Sequence, residues 1–339
     1  MKQRGFRYCS TCRTKLQRRG LTRAGTQRWK CVVCSKSATK PRADLAKGLL
    51  LEQFVNWLLG KQSQTELAAT KDITARTWRN QTAWCWDITP KPKLTGEIYP
   101  IILIDGLRVG SLVNLIARTP AVVINWHWVG WESTDNWARL LEQLPPPVVV
   151  VCDGQKGILG AIGRCWPETY IQRCHFHVWQ NIRTKLTLHP KTKAGQELLA
   201  LTKVLLKGID DLGGAAKWEE QIHNWGKKYD KLIKQRTYAD NPRLGQHKWW
   251  YTHGRLRSAY RQLEKLITDN QLFVYLNKVL VKQAGTIPRT TNYVEGGINS
   301  QLRTKLKLHR GMNEQHQRRL VEWYLYSRTN APKPPRNFL

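Results

Sequence analysis

Two aspartates close apolar runs in the same way. Asp105 ends IILID and Asp153 ends VVVVCD, and each is followed by glycine. An acid directly after an apolar run lies where a buried strand meets solvent, which is where metal-binding carboxylates must sit. The glycine leaves the backbone free to turn and lets a bulky substrate come close. If the two runs are parallel neighbours, their ends coincide and the carboxylates face one another. Two like charges so close raise one pKa unless a cation is present, and Mg2+ (or Mn2+) takes a few carboxylates plus substrate phosphate oxygens.

A third acid, Glu295, stands in TTNYVEGGINSQLRTKLKLHRGM. Asn292 and Glu295 have the spacing of a capping box, in which Glu295 would only partner its own helix N-terminus. Against that, Gly296 and Gly297 each disfavour a helix by about 1 kcal/mol relative to Ala, which suggests that something large approaches there. Asn299, Leu302 and Arg303 follow on the Glu295 face of a helix. Flanked by Asn299, Arg303, His309 and Arg310, Glu295 reads as a metal ligand among phosphate contacts. Three carboxylates holding two divalent cations can activate water or a 3′ hydroxyl and stabilise the leaving oxygen of a displacement at phosphorus. A recombinase nucleophile ringed by Arg and His has no clear counterpart among the tyrosines and serines.

A second chemical constellation lies near the start. Cys9-x2-Cys12 and Cys31-x2-Cys34 are 18 residues apart, a spacing suited to a four-thiolate Zn2+ site. So small and charged a segment cannot fold around an apolar core, so the metal would supply most of its folding free energy. Lys and Arg fill the intervening loop, which predicts contact with DNA phosphates.

These residues need elements to hold them. PIILID, SLVNLIA and AVVINWHWV have strand length and read as an antiparallel meander. STDNWARLLEQL fits a helix opened by Ser133 or Thr134, PPPVVVVCDG a strand apolar on both faces, and QKGILGAIGRCW a further helix. The alternation predicts an α/β core with one parallel pair joined through a helix, at 96–175 and resuming at 281–339. Between them, 176–280 is Trp- and Lys-rich and predicts an all-helical insertion. Ahead of the core, 1–42 is the cysteine module, and 43–95 holds helices and a linker. There SQTELAATKDITARTW has the length of a helix-turn-helix or a plain helical hairpin, with Thr74 as N-cap of a helix carrying Arg76, Thr77, Arg79 and Asn80.

At 339 residues and 41% hydrophobic, the chain can bury a core. Its 56 Lys and Arg against 24 Asp and Glu leave +32, a field that draws in polyanions, so nucleic acid is the default partner. Residues 1–48 alone carry 14 Lys or Arg and one acid, Asp44. No apolar run approaches the ~18 residues of a membrane span, and MKQRGFRYC shows no signal-peptide core. With four cysteines paired and Cys85, Cys152, Cys165 and Cys174 scattered, the pattern predicts a reducing cytoplasm and metal binding. Trp-rich stretches, WHWVGW and HKWWY, suit either the core or stacking on splayed bases.

With those residues in view, the chain resembles the DDE transposases of bacterial insertion sequences related to the eukaryotic Mutator-like elements. CDGQKGILGAIGRCWPETYIQRCHFH looks like that group's second-aspartate block, TTNYVEGGINSQLRTKLKLHRGM its glutamate block and IDG its first-aspartate block. The resemblance implies an RNase H-like core in which Asp105, Asp153 and Glu295 bind Mg2+, interrupted by a helical insertion. Ahead of that core, the zinc ribbon and helix-turn-helix would bind terminal inverted repeats. It implies cleavage at transposon ends and strand transfer into target DNA, with a dimer or larger synaptic complex joining the two ends. Cys174 and His177 match the group's Cys-x2-His pair, near the active site or merely structural, and QRCHFH also offers His175. Two other readings use the same features: a non-catalytic DNA-binding regulator, and an RNase H-fold nuclease or resolvase that cuts without joining.

Overall fold

The computed structural model describes residues 8, 9, 11–39, 43–240 and 247–338. The outer bounds expected for the cysteine module, residues 1 and 42, and the last residue, 339, lie outside that set. The chain divides into two compact units, Met1–Ile88 with Lys333–Leu339, and Thr89–Pro332.

In the first unit, β1 (Gln17–Leu21), β2 (Gln27–Lys30) and β3 (Ser37–Thr39) form an antiparallel sheet in chain order. Its strands are largely exposed, and the small core beside them is Cys9, Leu16 and Cys31. Helix α1 (Ala43–Leu59) buries Leu51, Phe54 and Leu58. Helix α2 (Gln64–Ala69) starts with a full capping box between Ser63 and Glu66, and α3 (Ala75–Thr82) starts where Thr74 accepts from the Thr77 N–H. Trp78 is buried on α3.

The second unit is built on a five-stranded sheet. Its strands are β4 (Ile101–Val109), β5 (Leu112–Arg118), β6 (Val123–Val129), β7 (Val149–Cys152) and β8 (Tyr170–Arg173), in the spatial order β6-β5-β4-β7-β8. The meander β4-β5-β6 is antiparallel, while β4-β7 and β7-β8 are parallel. Strand β8 has four residues and went unread in the sequence. The parallel connections run through α4 (Thr134–Leu141), opened by Ser133, and α5 (Lys156–Cys165). Side chains alternate along β4. Ile102 and Ile104 therefore pack with Trp137, Leu141, Ile158 and Ile162, while Ile101 and Leu103 pack with Val274, Leu280 and Val294 on the other face.

Next come α6 (His175–Leu186), α7 (Lys193–Lys207), α8 (Leu212–Lys228) and α9 (Asp230–Lys234), then a hairpin of β9 (Arg236–Tyr238) and β10 (Trp249–Tyr251), and α10 (Gly254–Thr268). Val178, Ile182, Leu198, Trp218 and Leu263 share a core there. The stretch 176–280 is therefore not all-helical. The hairpin is short and aromatic, with Trp249 edge-on to Tyr251 and under the Arg236 guanidinium, and such a run has no alternation long enough to announce a strand.

The chain closes with α11 (Lys278–Ala284), α12 (Asn292–Val294), a π-helical turn over Glu295–Asn299, α13 (Ser300–Leu308) and α14 (Glu314–Tyr326). No helix among the described residues is long and apolar enough to cross a membrane.

Candidate active site

Strands β4 and β7 pair in parallel with Leu103 opposite Val151. Asp105 and Asp153 each lie two residues further along, so the apolar register that buries the strands delivers both carboxylates to the same end. Asp105 is 5% exposed and Asp153 8%. Asp105 accepts from its neighbour's backbone, Gly106 N–H to Oδ1 at 3.0 Å, and from Asn299 Nδ2 to Oδ2 at 3.2 Å. Asp153 Oδ1 accepts from Gln155 N–H at 3.0 Å, at the start of α5. Arg173, at the end of β8, donates through Nη2 to the Asp153 carbonyl at 2.6 Å.

Burial pushes Asp105 up to about 7. His177 opposes the shift, and the charges of Asp153 and Glu295 add to it. These residues therefore share one electrostatic neighbourhood.

Glu295 reaches that neighbourhood by a backbone irregularity. The capping box weighed for Asn292 and Glu295 does not form, and the helix instead widens into the π turn at Glu295–Asn299, a feature often found at functional sites. Side chains take up carbonyls at the turn and in the loop after β5. Arg118, buried at the end of β5, donates to the carbonyls of Tyr293, Thr119 and Pro120, and the Tyr324 hydroxyl donates to the Gly297 carbonyl at 3.2 Å. The turn accounts for Gly296 but leaves ordinary room at Gly297. A Cβ at Gly296 would meet Asn292 Oδ1 at 2.7 Å, and one at Gly297 would lie 3.5 Å from Arg118.

The Glu295 carboxylate lies 3.1 Å from His177 Nε2. Burial disfavours the charged imidazole, but hydrogen bonds to Cys174 and Glu295 carry its pKa up to about 11. Cys174 is fully buried, and its sulfur accepts from both the N–H and the hydroxyl of Thr291. Burial raises this thiol, yet the His177 bond leaves it below its usual value. The two histidines of QRCHFH thus separate. His175 is buried with its ring nitrogens on the carbonyls of Leu205 and Leu272, and only His177 faces the acids.

Other expected phosphate contacts divide by exposure. Arg303 and Arg310 are exposed, as are Arg76, Arg79 and Asn80 on α3. Asn299 and His309 are buried, and Asn299 donates to Asp105. The pairing is non-local, 194 residues apart, which is why sequence spacing could not find it. In the Trp-rich stretches, Trp126 is buried whereas Trp131 and Trp250 are exposed.

Both glycines after the aspartates make room for charged side chains. A Cβ at Gly154, whose φ is +74°, would overlap the Arg173 guanidinium. One at Gly106 would lie 2.7 Å from Glu132 Oε1. Arg173 and Glu132 were not singled out by sequence, because only the fold brings them beside those glycines.

Among the described residues, four ligand atoms draw within 4.8 Å of one another at a single place, the thiols of Cys9, Cys12, Cys31 and Cys34. Sγ separations of 3.4 Å (Cys9 to Cys34), 3.2 Å (Cys12 to Cys31) and 3.8 Å (Cys12 to Cys34) approach the roughly 3.8 Å edge of a tetrahedron with Zn–S of about 2.3 Å. Backbone hydrogen bonds from Cys12 and Thr11 hold Cys9 down to about 6, whereas against the Lys36 backbone bond the Cys9 sulfur and burial push Cys34 up to about 11. The cluster can hold zinc. Asp105, Asp153 and Glu295 offer oxygen ligands suited to Mg2+ or Mn2+, and Asn299 Oδ1 beside them is buried without a partner.

Residues 123–266 match the model of the Mutator family of transposases, a span that includes Asp153, Cys174 and His177. The chain is similar to a transposase for insertion sequence element IS6120 of Mycolicibacterium smegmatis, 28% identical over 160 residues, covering 45% of this chain and 46% of the relative. A probable insertion-sequence transposase of Corynebacterium diphtheriae is 26% identical over 156 residues, covering 41% and 45%. A transposase for insertion sequence element IS905 of Lactococcus lactis is 23% identical over 160 residues, covering 42% and 40%. In each case the match spans under half the length of the curated relative.

Proposed function

We propose that this chain, a bacterial insertion-sequence transposase of the Mutator-like group, cuts DNA at its element's ends and joins them to target DNA through a site built on Asp105, Asp153 and Glu295. The observation that carries the reading is the parallel register of β4 and β7, which brings two aspartates to one strand end, with Glu295 turned toward them by the π turn. Mg2+ or Mn2+ bound by these carboxylates would supply Lewis acidity at the attacking and leaving oxygens.

The chain's own residues then have distinct tasks. Asn299 and the Gly106 N–H hold the Asp105 carboxylate, and the Gln155 N–H holds that of Asp153. His177 orients Glu295. A hydroxyl oxygen, from water or from a freed 3′ end, attacks the phosphorus while the P–O3′ bond breaks and the leaving oxygen takes the proton. Arg303 and Arg310 sit exposed beyond the glutamate turn and would bind phosphate.

The sheet order β6-β5-β4-β7-β8, three antiparallel strands followed by two parallel ones, supports an RNase H-like core at 96–175 and 281–339 with the helices and hairpin of 176–280 as its insertion. In the first unit, the four cysteines would hold Zn2+, and α2 and α3 would act as a helix-turn-helix on the terminal inverted repeats. Two ends must be joined together, so a homodimer or larger synaptic assembly is expected, at the bacterial nucleoid.

Incubating the protein with Mg2+, a labelled element end and a target plasmid tests the reading. Joined products support transposition. Cleavage without joining points to a nuclease or resolvase, and binding alone to a regulator.

A further inference from the structure

We propose that Glu132 is a fourth carboxylate of the cation-binding pocket, approaching Asp153 from the sheet face opposite to Glu295 and ligating a divalent cation together with it. The inference rests on the function proposed above and extends its ligand set.

Glu132 sits between β6 and α4, directly before the Ser133 cap. Its Oε2 is buried and makes no hydrogen bond. Buried carboxylate oxygens ordinarily find donors. The Trp137 indole and the Arg108 cation both lie near enough to lower its pKa, but the indole N–H stays outside hydrogen-bond geometry. The carboxylate is packed against Gly106, the residue after Asp105, where a Cβ would stand 2.7 and 2.9 Å from its two oxygens. Asp105 and Gly106 point to opposite faces of β4, so Glu132 arrives from the α4 and α5 layer and Glu295 from the other. Burial and the nearby charge of Asp153 both push Glu132 above the usual carboxylate range.

A second, independent observation points to a ligand. Asn299 is 2% exposed, and while its Nδ2 is spent on Asp105, its Oδ1 has no partner. Buried oxygens lacking donors therefore flank the ends of β4 and β7 from both layers. A hard divalent cation takes oxygens of this kind. The backbone of Glu132 is held for the role: Asn136 Nδ2 donates to the Trp131 carbonyl at 2.8 Å, and a Cβ at Gly157 would lie 3.2 Å from the Glu132 carbonyl. Position 157 thus keeps the start of α5 close beneath it.

The experiment titrates Mn2+ into the zinc-loaded full chain, following heat of binding and thermal unfolding, for the unaltered protein, E132Q and D153N. A ligand bound only by the folded state raises Tm. The expected result is a Mn2+-dependent rise that D153N loses, with E132Q keeping a cation-free Tm at least as high as the parent and binding Mn2+ about tenfold more weakly or worse. E132D is the second variant. It keeps the charge and shortens the reach, and weakened Mn2+ binding with an unchanged cation-free Tm supports the proposal. Parent-like Mn2+ binding by E132Q and E132D, with D153N defective, overturns the assignment of Glu132 alone. If D153N also binds Mn2+ as the parent does, the function proposed above fails and this inference fails with it.

Discussion

His177 Nε2 lies 3.1 Å from Glu295 Oε1, and the other ring nitrogen lies 3.5 Å from the hydroxyl of Thr291, whose N–H and hydroxyl both reach the Cys174 sulfur. The Cys-x2-His pair is thereby linked to the one acid that no strand holds in place. The imidazole at once neutralises and aims Glu295.

Removing that link should misplace the glutamate without unfolding the unit. His177→Gln is expected to lower the rate of end cleavage by about ten- to a hundredfold while leaving DNA binding intact, as for partners that orient metal ligands. Single-turnover cleavage alongside a binding titration checks this. Unchanged cleavage would show that Glu295 is positioned by its backbone alone.

His177 also sets a pH signature. Its pKa is raised to about 11 from an unfolded value near 6.5, so the stability it contributes is fully present below about 6.5 and is lost as pH rises toward 11. Without divalent cations, the Tm of the parent should therefore fall across that window more steeply than the Tm of His177→Gln. Parallel curves would contradict this account of the imidazole.

Asp105 carries the opposite kind of cost. A carboxyl raised to about 7 is protonated in the folded state where the unfolded chain, near 3.8, is not. Stability is lost as pH climbs from about 4 to 7, by an upper bound of roughly 4 kcal/mol. Asp105→Asn should accordingly raise the cation-free Tm at pH 8 while abolishing cleavage, a trade that differential scanning calorimetry and the joining assay read together.

The π turn depends on a cation at the end of β5. Arg118→Ala removes donors to three partly buried carbonyls, one of them in the turn before Glu295. A loss of roughly 3 kcal/mol is expected from urea unfolding, with slower cleavage. A neutral outcome would mean that the turn is held by Tyr324 alone.

Much of this site was legible in the sequence, for physical reasons. An apolar run ending in Asp-Gly announces a buried strand meeting solvent, so Asp105 and Asp153 and their parallel pairing could be read, as could the CxxC pairs, the Thr74 cap and a cap at Ser133 or Thr134. Glu295 was legible as an acid but not as a π turn, because carbonyls at the turn are taken up by Arg118 and Tyr324, far away in the chain. Glu132 and Asn299 act through contacts with no fixed spacing. Strand β8 and the β9-β10 hairpin were too short to show alternation, and the glycines after the aspartates admit Glu132 and Arg173, where substrate had been expected.

The central claim is that Asp105, Asp153 and Glu295 form one cation-dependent site for phosphoryl transfer. Asp153→Asn tests it most directly, because the change keeps size and the Gln155 contact while removing charge. With Mg2+, a labelled element end and a target plasmid, the variant should bind the end as the parent does and yield neither nicked nor joined product. Strand transfer at the parent rate by Asp153→Asn would contradict the account.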